Sequence, residues 1–365
     1  MSEYREESDA LDTDLLQVVH AWHKHGTELN DADFNHLALR VFAYQLRYNA
    51  PYAAYCGSLG IHHDALPSRW EAIPPVPNTA FKDSTLATFD PQAAVLEFET
   101  SGTTQGRGGI HYMDTASLYD AVLLAGFDRF MLPDGARLRY FNIVPNAGER
   151  RTSSLGYMMA KVSADRGDEQ TGWYVRGDDL LTHAFVTDLR QAINEDRAVC
   201  IAGTAFGLLN LLDGFAERDE TYRLPAGSRI METGGFKGRT RTISREELYA
   251  KLCTRFLVTQ EQIVSEYGMT ELTSQYYDAP ASRAAHHRIK AAPPWLRARV
   301  VDVTGAEVPD GTVGALVHYD LANRGSVVAL STEDLGCVAD GGFVLLGRDE
   351  GAALRGCSLD AEDLR

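Results

Sequence analysis

Residues 94–107 read AVLEFETSGTTQGR, an apolar segment that runs directly into a loop of glycines and small hydroxyl residues. The segment predicts a β-strand, and the loop predicts a turn in which backbone N–H groups approach a ligand closely. The hydroxyl groups add hydrogen-bond donors and Arg107 adds a positive charge, so the loop suits an anion such as phosphate. Its spacing is not that of a Walker A motif, and an ordinary surface turn would contain the same residue types.

A second candidate segment is Tyr267-Gly268-Met269-Thr270-Glu271, which follows a predicted strand. A tyrosine ring can stack on a nucleobase, a threonine hydroxyl can bind phosphate, and a glutamate can hold Mg²⁺. A strand end followed by a helix cap has similar residue types, so this segment alone does not define a site.

A third candidate segment, residues 331–336, reads STEDLG and is followed further on by Gly347-Arg348. We expect Asp334 to lie at the end of a strand. A carboxylate there can accept hydrogen bonds from both hydroxyls of a ribose, as acidic residues do in other nucleotide-binding folds. An aspartate in a β-turn is the alternative.

The apolar pattern along the whole chain predicts a mixed α/β fold. Between residues 137 and 272, several apolar runs end in a loop that leads to a helical pattern, whereas short β segments follow from Leu296 onward. Ser244 and Glu247 have the spacing of a capping box at the start of one helix. The polar, glycine-containing stretch 163–180 predicts a mobile loop.

The composition excludes several classes of protein. The 365 residues are 44% hydrophobic and carry a formal net charge of −16, which argues against non-specific nucleic-acid binding and against adsorption to anionic membranes. No apolar run approaches the roughly 20 residues of a membrane helix. The polar N-terminus MSEYREESDALDTDL lacks the pattern of a signal peptide, so we expect a cytoplasmic protein without membrane insertion.

The three candidate segments, in this order, resemble the adenylate-forming superfamily of acyl-CoA synthetases, peptide-synthetase adenylation domains and luciferases. The resemblance implies that the first loop holds the phosphates of ATP, that the second segment binds adenine, phosphate and Mg²⁺ through Glu271, and that the third binds ribose. It also implies that the double glycine Gly234-Gly235 lines an adenine pocket, and that Gly347-Arg348 forms a hinge before the C-terminal region. The residues that it assigns to ATP binding are Thr100, Ser101, Gly102, Thr103, Thr104, Gly234, Gly235, Tyr267, Gly268, Thr270, Asp334 and Arg348.

A finer resemblance covers nearly the whole chain, from about Val76 to Leu359. The chain is similar to the acyl-protein synthetase (LuxE-like) family of the bacterial bioluminescence operon. In that family a fatty acid is adenylated by ATP, and the acyl group then passes to a cysteine near the C-terminus and on to a reductase partner. The segments that carry the resemblance are VPNTAFK, FETSGTTQGRGGIHY, SSLGYMMA, GTAF, METGGFKGR, EYGMTELTSQYYD, YDLANRGSVVALSTEDLG and GRDEGAALRGCSL.

Cys357 matches the position of that acyl-accepting cysteine. It is one of five widely spaced cysteines without a C-x-x-C pair, so neither a disulfide framework nor a zinc site is indicated. The nearby Arg355 can lower the pKa of the thiol and so increase the fraction of reactive thiolate. The alternative is an ordinary structural cysteine.

The resemblance also implies the fold. We expect an adenylate-forming N-terminal-domain-like fold, with mixed sheets flanked by helices and a β-rich C-terminal part. The chain stops at Arg365, soon after the hinge, so we expect the large C-terminal domain with its catalytic lysine to be absent. Lys237 is our candidate for the missing positive charge, and a solvated loop lysine is the alternative. The expected divisions are an α/β adenylation core with the ATP-binding loops over 1–295, a β-rich subdomain of the same unit over 296–346, and a short C-terminal tail over 347–365.

Three hypotheses about function remain open at this point. The first is an acyl-protein synthetase that uses Cys357 as an intermediate acyl carrier. The second is a stand-alone ligase that passes its acyl-AMP to a carrier protein, to CoA or to an amine, with Cys357 idle. The third is a non-catalytic relative that binds nucleotide. The partners expected are a carboxylic acid and, in the first two cases, an acyl acceptor.

Overall fold

The structure, a computed structural model, describes residues 3–100, 108–234 and 243–348. None of the described helices is both long and apolar enough to cross a membrane. The α-helices are α1 Glu3–His25, α2 Asp31–Tyr48, α3 Ala50–Ser58, α4 Ser117–Met131, α5 Ser154–Arg166, α6 Thr182–Asn194, α7 Ala205–Glu217 and α8 Arg245–Phe256. The strands are β1 Val76–Pro77, β2 Leu96–Glu99, β3 Ile110–Met113, β4 Arg139–Pro145, β5 Gly172–Arg176, β6 Asp179–Leu180, β7 Val199–Thr204, β8 Arg229–Thr233, β9 Ile263–Tyr267, β10 Tyr276–Asp278, β11 Ile289–Ala291, β12 Leu296–Val301, β13 Val313–Asp320, β14 Ala329–Ala339 and β15 Gly342–Arg348.

The chain divides into two compact units, and the first unit is assembled from three separate stretches. The first unit consists of Met1–Gly126, Met269–Tyr276 and Ile289–Arg365, and the second of Phe127–Gly268 and Tyr277–Arg288. The β-rich segment predicted from Leu296 onward therefore belongs to the same unit as the N-terminal helices.

The second unit contains a parallel sheet in which β9, β8, β7, β4 and β5 are neighbours, with β6 antiparallel to β5. β4 and β7 are buried along almost their whole length, which explains why their sequences are mostly apolar rather than alternating between apolar and polar residues. Apolar side chains of α6, α7 and α8 pack on one face of the sheet and form its core. α7 begins after Thr204, whose side chain accepts a hydrogen bond from the Gly207 N–H at 3.0 Å.

The first unit contains an antiparallel sheet in the order β12, β13, β14, β15 and β11, and the short β1 lies parallel to β14. β2 and β3 form a separate two-stranded hairpin. The predicted class is thereby confirmed, with mixed sheets flanked by helices and a β-rich C-terminal part.

The prediction of a mobile loop over residues 163–180 was wrong. α5 continues to Arg166, and residues Gly172–Arg176 form β5 beside β4. The reason is the short aromatic run in the middle of the stretch: Tyr174 is buried, and its ring stacks on Phe141 with 5.3 Å between centroids. Burial of that ring stabilises a strand whose polar flanks suggested a loop.

A buried arginine joins α1 to the end of β3 within the first unit. The Arg324 guanidinium donates to both carboxylate oxygens of Asp12, at 2.7 and 3.0 Å, and to both of Asp114, at 3.0 and 2.8 Å. The Tyr4 hydroxyl also donates to Asp114 at 2.8 Å. Burial works against the charged guanidinium, but hydrogen bonds and charge from the two carboxylates raise the pKa of Arg324 overall. The arginine is thus fully ionised and fully hydrogen-bonded.

Replacement of this arginine tests how much the network contributes to stability. We expect Arg324→Ala to lower the free energy of unfolding in urea by about 3–5 kcal/mol, because it leaves two partly buried carboxylates without their cation. Arg47→Ala is the control, since Arg47 pairs with Glu3 and Glu7 at the surface and should change the unfolding free energy little. Equal effects of the two substitutions would contradict the prediction.

Candidate active site

The base of the predicted phosphate loop is a closed hairpin. The Thr100 N–H donates to the Gly109 carbonyl at 2.8 Å, and the Gly109 N–H donates to Thr100 Oγ1 at 2.9 Å. These bonds extend the β2–β3 pairing by one residue on each strand. Thr100 is buried, whereas Ser101, Gly102, Thr103 and Thr104 lie outside the described residues. The described part of the chain therefore fixes both ends of the loop.

Close backbone packing explains the glycines at the end of this loop. A Cβ on Gly109 would lie 2.2 Å from the carbonyl oxygen of Phe81, and one on Gly108 would lie 2.4 Å from that of Thr100. No side chain fits at such distances from backbone atoms. The second strand of the hairpin therefore needs glycine at both positions, independently of any ligand.

Thr270 and Glu271 lie in a turn that the Leu272 N–H closes by donating to the Met269 carbonyl at 3.1 Å. Two side chains of the first unit bind the carbonyls of this turn. His111 Nδ1 lies 2.7 Å from the Thr270 oxygen, and Asn323 Nδ2 donates to the Glu271 oxygen at 2.9 Å. His111 belongs to β3, so the turn is held directly against the hairpin of the phosphate loop.

The imidazole of His111 is neutral at physiological pH. Burial lowers its pKa to about 4, although the hydrogen bond to the Thr270 carbonyl acts in the opposite direction. Because a carbonyl only accepts hydrogen bonds, the facing Nδ1 must carry the proton, which defines the tautomer.

The residues after Glu271 are held by a buried carboxylate. Asp320 accepts hydrogen bonds from the N–H groups of Thr273 and Ser274, at 2.9 and 2.8 Å, and from the Ser274 hydroxyl at 2.8 Å. Burial raises the pKa of Asp320 to about 6, and these hydrogen bonds oppose that rise. The backbone that follows the predicted metal-binding glutamate is thus fixed by a side chain at the end of β13.

Asp334 does not lie at a strand end, as the sequence suggested, but within β14. The pairing is irregular on both sides of Asp334: the register shifts between Ala315 and Val317 on one side and between Leu335 and Gly336 on the other. Bulges of this kind change the direction in which side chains point. Thr332 Oγ1 accepts from the Asp334 N–H at 3.2 Å and donates to the Leu316 carbonyl at 3.0 Å, which holds the irregular backbone.

His318 lies near Asp334 on the neighbouring strand. Its Nδ1 is 2.9 Å from the Tyr276 hydroxyl. Burial lowers the pKa of His318 to about 4, and the charge of Asp334 partly opposes this shift. Asp334 is therefore a buried carboxylate beside a neutral imidazole.

In the second unit, Gly234 and Tyr267 lie side by side at the carboxyl edge of the parallel sheet. Thr233 at the end of β8 pairs with Glu266 near the end of β9, so the next residues of both strands are adjacent. Ligands of open α/β sheets bind at this edge. Gly268 directly follows Tyr267, and Gly235 lies outside the described residues.

The remaining predicted residues have no described side chains. Lys237 and Cys357 lie outside the described residues, and Arg348 is the last residue of β15, opposite Asp334 in the backbone register. The sequence reasoning did not single out His111, Asn323 or Asp320. All three lie inside segments that carry the family resemblance. Their only signal in the sequence was therefore similarity to the family, and not a pattern with a chemical meaning of its own.

Solved structures of a CoA ligase have a fold similar to that of this chain. A solved structure of 2-hydroxyisobutyryl-CoA ligase, in an open conformation with 2-HIB-AMP and CoA, matches with a TM-score of 0.65 at 14% identity and covers 87% of this chain and 74% of that chain. The same ligase in its thioesterification state matches with a TM-score of 0.64 at 15% identity, covering 87% of this chain and 68% of that one. At such identities the likeness shows the fold alone, which is that of an adenylate-forming enzyme.

The family follows from the sequence. The family described as acyl-protein synthetase, LuxE, matches residues 22–363, and the chain belongs to it. A relative, the long-chain-fatty-acid–luciferin-component ligase of Vibrio harveyi, is 24% identical over 305 residues, which cover 82% of this chain and 78% of the relative. The predicted family is confirmed, and the chain is a ligase of the acyl-protein synthetase type.

Gly234 offers a test of the predicted adenine pocket. No described atom lies within 4 Å of the position that a Cβ on Gly234 would take, so Gly234→Ala should unfold at the wild-type midpoint. If adenine packs there, the added methyl group should weaken ATP binding about tenfold, as measured by calorimetry. Gly109→Ala, whose Cβ would meet the Phe81 carbonyl, should instead lower the unfolding midpoint. Unchanged ATP affinity in Gly234→Ala would remove this residue from the site.

Proposed function

We propose that the chain uses ATP to activate a carboxylic acid as acyl-AMP, transfers the acyl group to Cys357, and passes it on to a partner protein in the cytoplasm. The acid proposed first is a long-chain fatty acid, because the Vibrio harveyi relative is a long-chain-fatty-acid ligase. The observation that carries the proposal is the 2.7 Å contact of His111 with the Thr270 carbonyl. It joins the hairpin of the predicted phosphate loop to the turn that contains Glu271, and supports one shared nucleotide site.

The first chemical step forms a bond between a carboxylate oxygen of the acid and the α-phosphorus of ATP, and breaks the bond from that phosphorus to pyrophosphate. The hydroxyl groups of Ser101, Thr103 and Thr104 and the loop N–H groups would bind the phosphates, and Asp334 would accept from the ribose hydroxyls. Lys237 is proposed to offset the negative charge at the α-phosphate. Such prearranged donors stabilise the transition state because they need not reorganise as charge develops.

The residues present fit Mg²⁺ shared with a nucleotide. Protein sites for Mg²⁺ use one or two carboxylates, and substrate phosphates and water complete the coordination. Glu271 and the neighbouring Thr270 hydroxyl supply oxygen donors of this kind, and no described group of three or more His, Cys, Asp or Glu residues could hold a metal alone. The bound ion would supply positive charge against the phosphates.

In the second step the Cys357 thiolate attacks the carbonyl carbon of the acyl-AMP. A thioester forms, the anhydride bond breaks, and AMP leaves with the electron pair. A nucleophile of the partner protein then takes the acyl group and regenerates the thiol.

The proposed activation is tested by ATP–pyrophosphate exchange over a panel of aliphatic and aromatic acids. We expect exchange that depends on the acid and on Mg²⁺, with long-chain fatty acids among the active ones. Asp334→Ala should remain folded and lose at least about tenfold in ATP affinity, because charge-assisted bonds to the ribose hydroxyls each contribute about 1.5–3 kcal/mol. No exchange with any acid, together with no ATP binding by calorimetry, would refute the proposal.

A separate test concerns the acyl acceptor. We expect the wild-type protein to gain the mass of the acyl group when given ATP and its acid, and neutral hydroxylamine should remove that mass because it cleaves thioesters. Cys357→Ser should retain pyrophosphate exchange and lose most transfer to a protein partner, since the two steps use different residues. Brisk exchange without an adduct on the wild type, and full transfer by Cys357→Ser, would instead favour the stand-alone ligase.

A further inference from the structure

The backbone around Glu271 is bound at four points by side chains from elsewhere in the first unit. His111 and Asn323 bind the carbonyls of Thr270 and Glu271, and Asp320 binds the N–H groups of Thr273 and Ser274. A turn of this kind has few internal hydrogen bonds, so its conformation depends on such external partners.

The side-chain amide of Asn323 can adopt only one orientation. Its Nδ2 donates to the Glu271 carbonyl and to the Val327 carbonyl, both at 2.9 Å, while its Oδ1 accepts from the Thr273 hydroxyl at 3.2 Å. A flipped amide would place an oxygen against two carbonyl oxygens. Asn323 therefore binds the backbone before Leu272 and the side chain of the residue after it through one rigid group.

His111 provides the corresponding link to the phosphate loop. It is almost completely buried in β3, where it pairs with Phe98 of β2, and its ring packs edge-on against Phe81 at 5.8 Å. A movement of the hairpin would therefore be transmitted to the Thr270 carbonyl. The connection spans 159 positions of the sequence.

We propose that His111 and Asn323 are positioning residues, which hold the Thr270 hydroxyl and the Glu271 carboxylate in fixed relation to the hairpin of the phosphate loop. The inference rests on the proposed adenylation reaction and adds to it residues that touch neither ATP nor the acid. Their contribution lies in preorganisation: small displacements of a binding group cost large factors in rate. Loss of either side chain should therefore affect turnover and the response to Mg²⁺ more than it affects binding of the acid.

The experiment compares His111→Ala and Asn323→Ala with conservative variants at the same positions. We expect kcat for pyrophosphate exchange to fall about tenfold to a hundredfold in both alanine variants, with KM for the acid within about twofold of wild type. The Mg²⁺ concentration for half-maximal exchange should rise. His111→Asn retains a donor near the Nδ1 position and should recover most activity, whereas Asn323→Asp replaces a donor with an acceptor and should not.

A binding measurement gives a second readout that is independent of turnover. Calorimetry of ATP binding in EDTA should give the wild-type affinity for both alanine variants, and the gain in affinity on adding Mg²⁺ should be reduced. Thr273→Val, which removes only the hydroxyl bond to Asn323, should show a smaller effect in the same direction. This variant keeps the test decisive if Asn323→Ala fails to fold.

Asn49→Ala controls for general loosening of the unit. Asn49 is equally buried and donates to the Ser326 carbonyl at 3.0 Å, but it touches neither Thr270 nor Glu271. If His111→Ala and Asn323→Ala lose activity only in proportion to their unfolding midpoints, as Asn49→Ala does, or keep wild-type kcat and Mg²⁺ dependence, the inference is overturned while the proposed function stands. A wild-type protein without exchange or ATP binding would overturn both.

Discussion

Residues 321–328 form an irregular stretch of backbone inside the first unit, and buried N–H and C=O groups there must find partners without the help of a regular sheet. Gln45 of α2 supplies several of them. Its amide donates to the carbonyls of Asn323 and Arg324, at 2.9 and 3.1 Å, and accepts from the Val328 N–H at 2.8 Å. The position of α2, the orientation of Asn323 and the placement of Arg324 are therefore consequences of one requirement, the pairing of buried polar backbone.

Residues 321–328 include Arg324, so the stretch also matters for the distribution of charge in a strongly acidic chain. Under the proposed function, a chain of net charge −16 would bind a triphosphate beside Glu271 and Asp334, which requires positive charge close to the phosphates. The buried Arg324 supplies little, because Asp12 and Asp114 offset its charge. The proposed function therefore assigns this task to Mg²⁺ shared with the nucleotide and to Lys237.

The sequence predicted the structural features that depend on residues close together in the chain. The apolar runs that became β4 and β7 are buried on both faces, and the cap of α8 at Ser244 accepts from the Glu247 N–H as the spacing suggested. The contacts that organise the candidate site are not local: His111 reaches Thr270, and Asn323 reaches Glu271 across 52 positions. No periodicity marks such pairs. Asp334 was misplaced for a related reason, since a register shift depends on the partner strands and leaves no mark in one segment alone.

The division of the chain into stretches has a consequence for its synthesis. During synthesis, residues 127–268, which form most of the second unit, are made before residues 269–276 and 289–365, which complete the first unit. Gln45 and Asp12 in the N-terminal helices bind residue 324, which is synthesised 279 and 312 residues after them. Until residue 324 is made these contacts are missing, and any apolar surface that the later stretches cover is exposed on the nascent chain. We expect chaperones that bind exposed apolar surface to associate with the nascent chain before residue 324 is made.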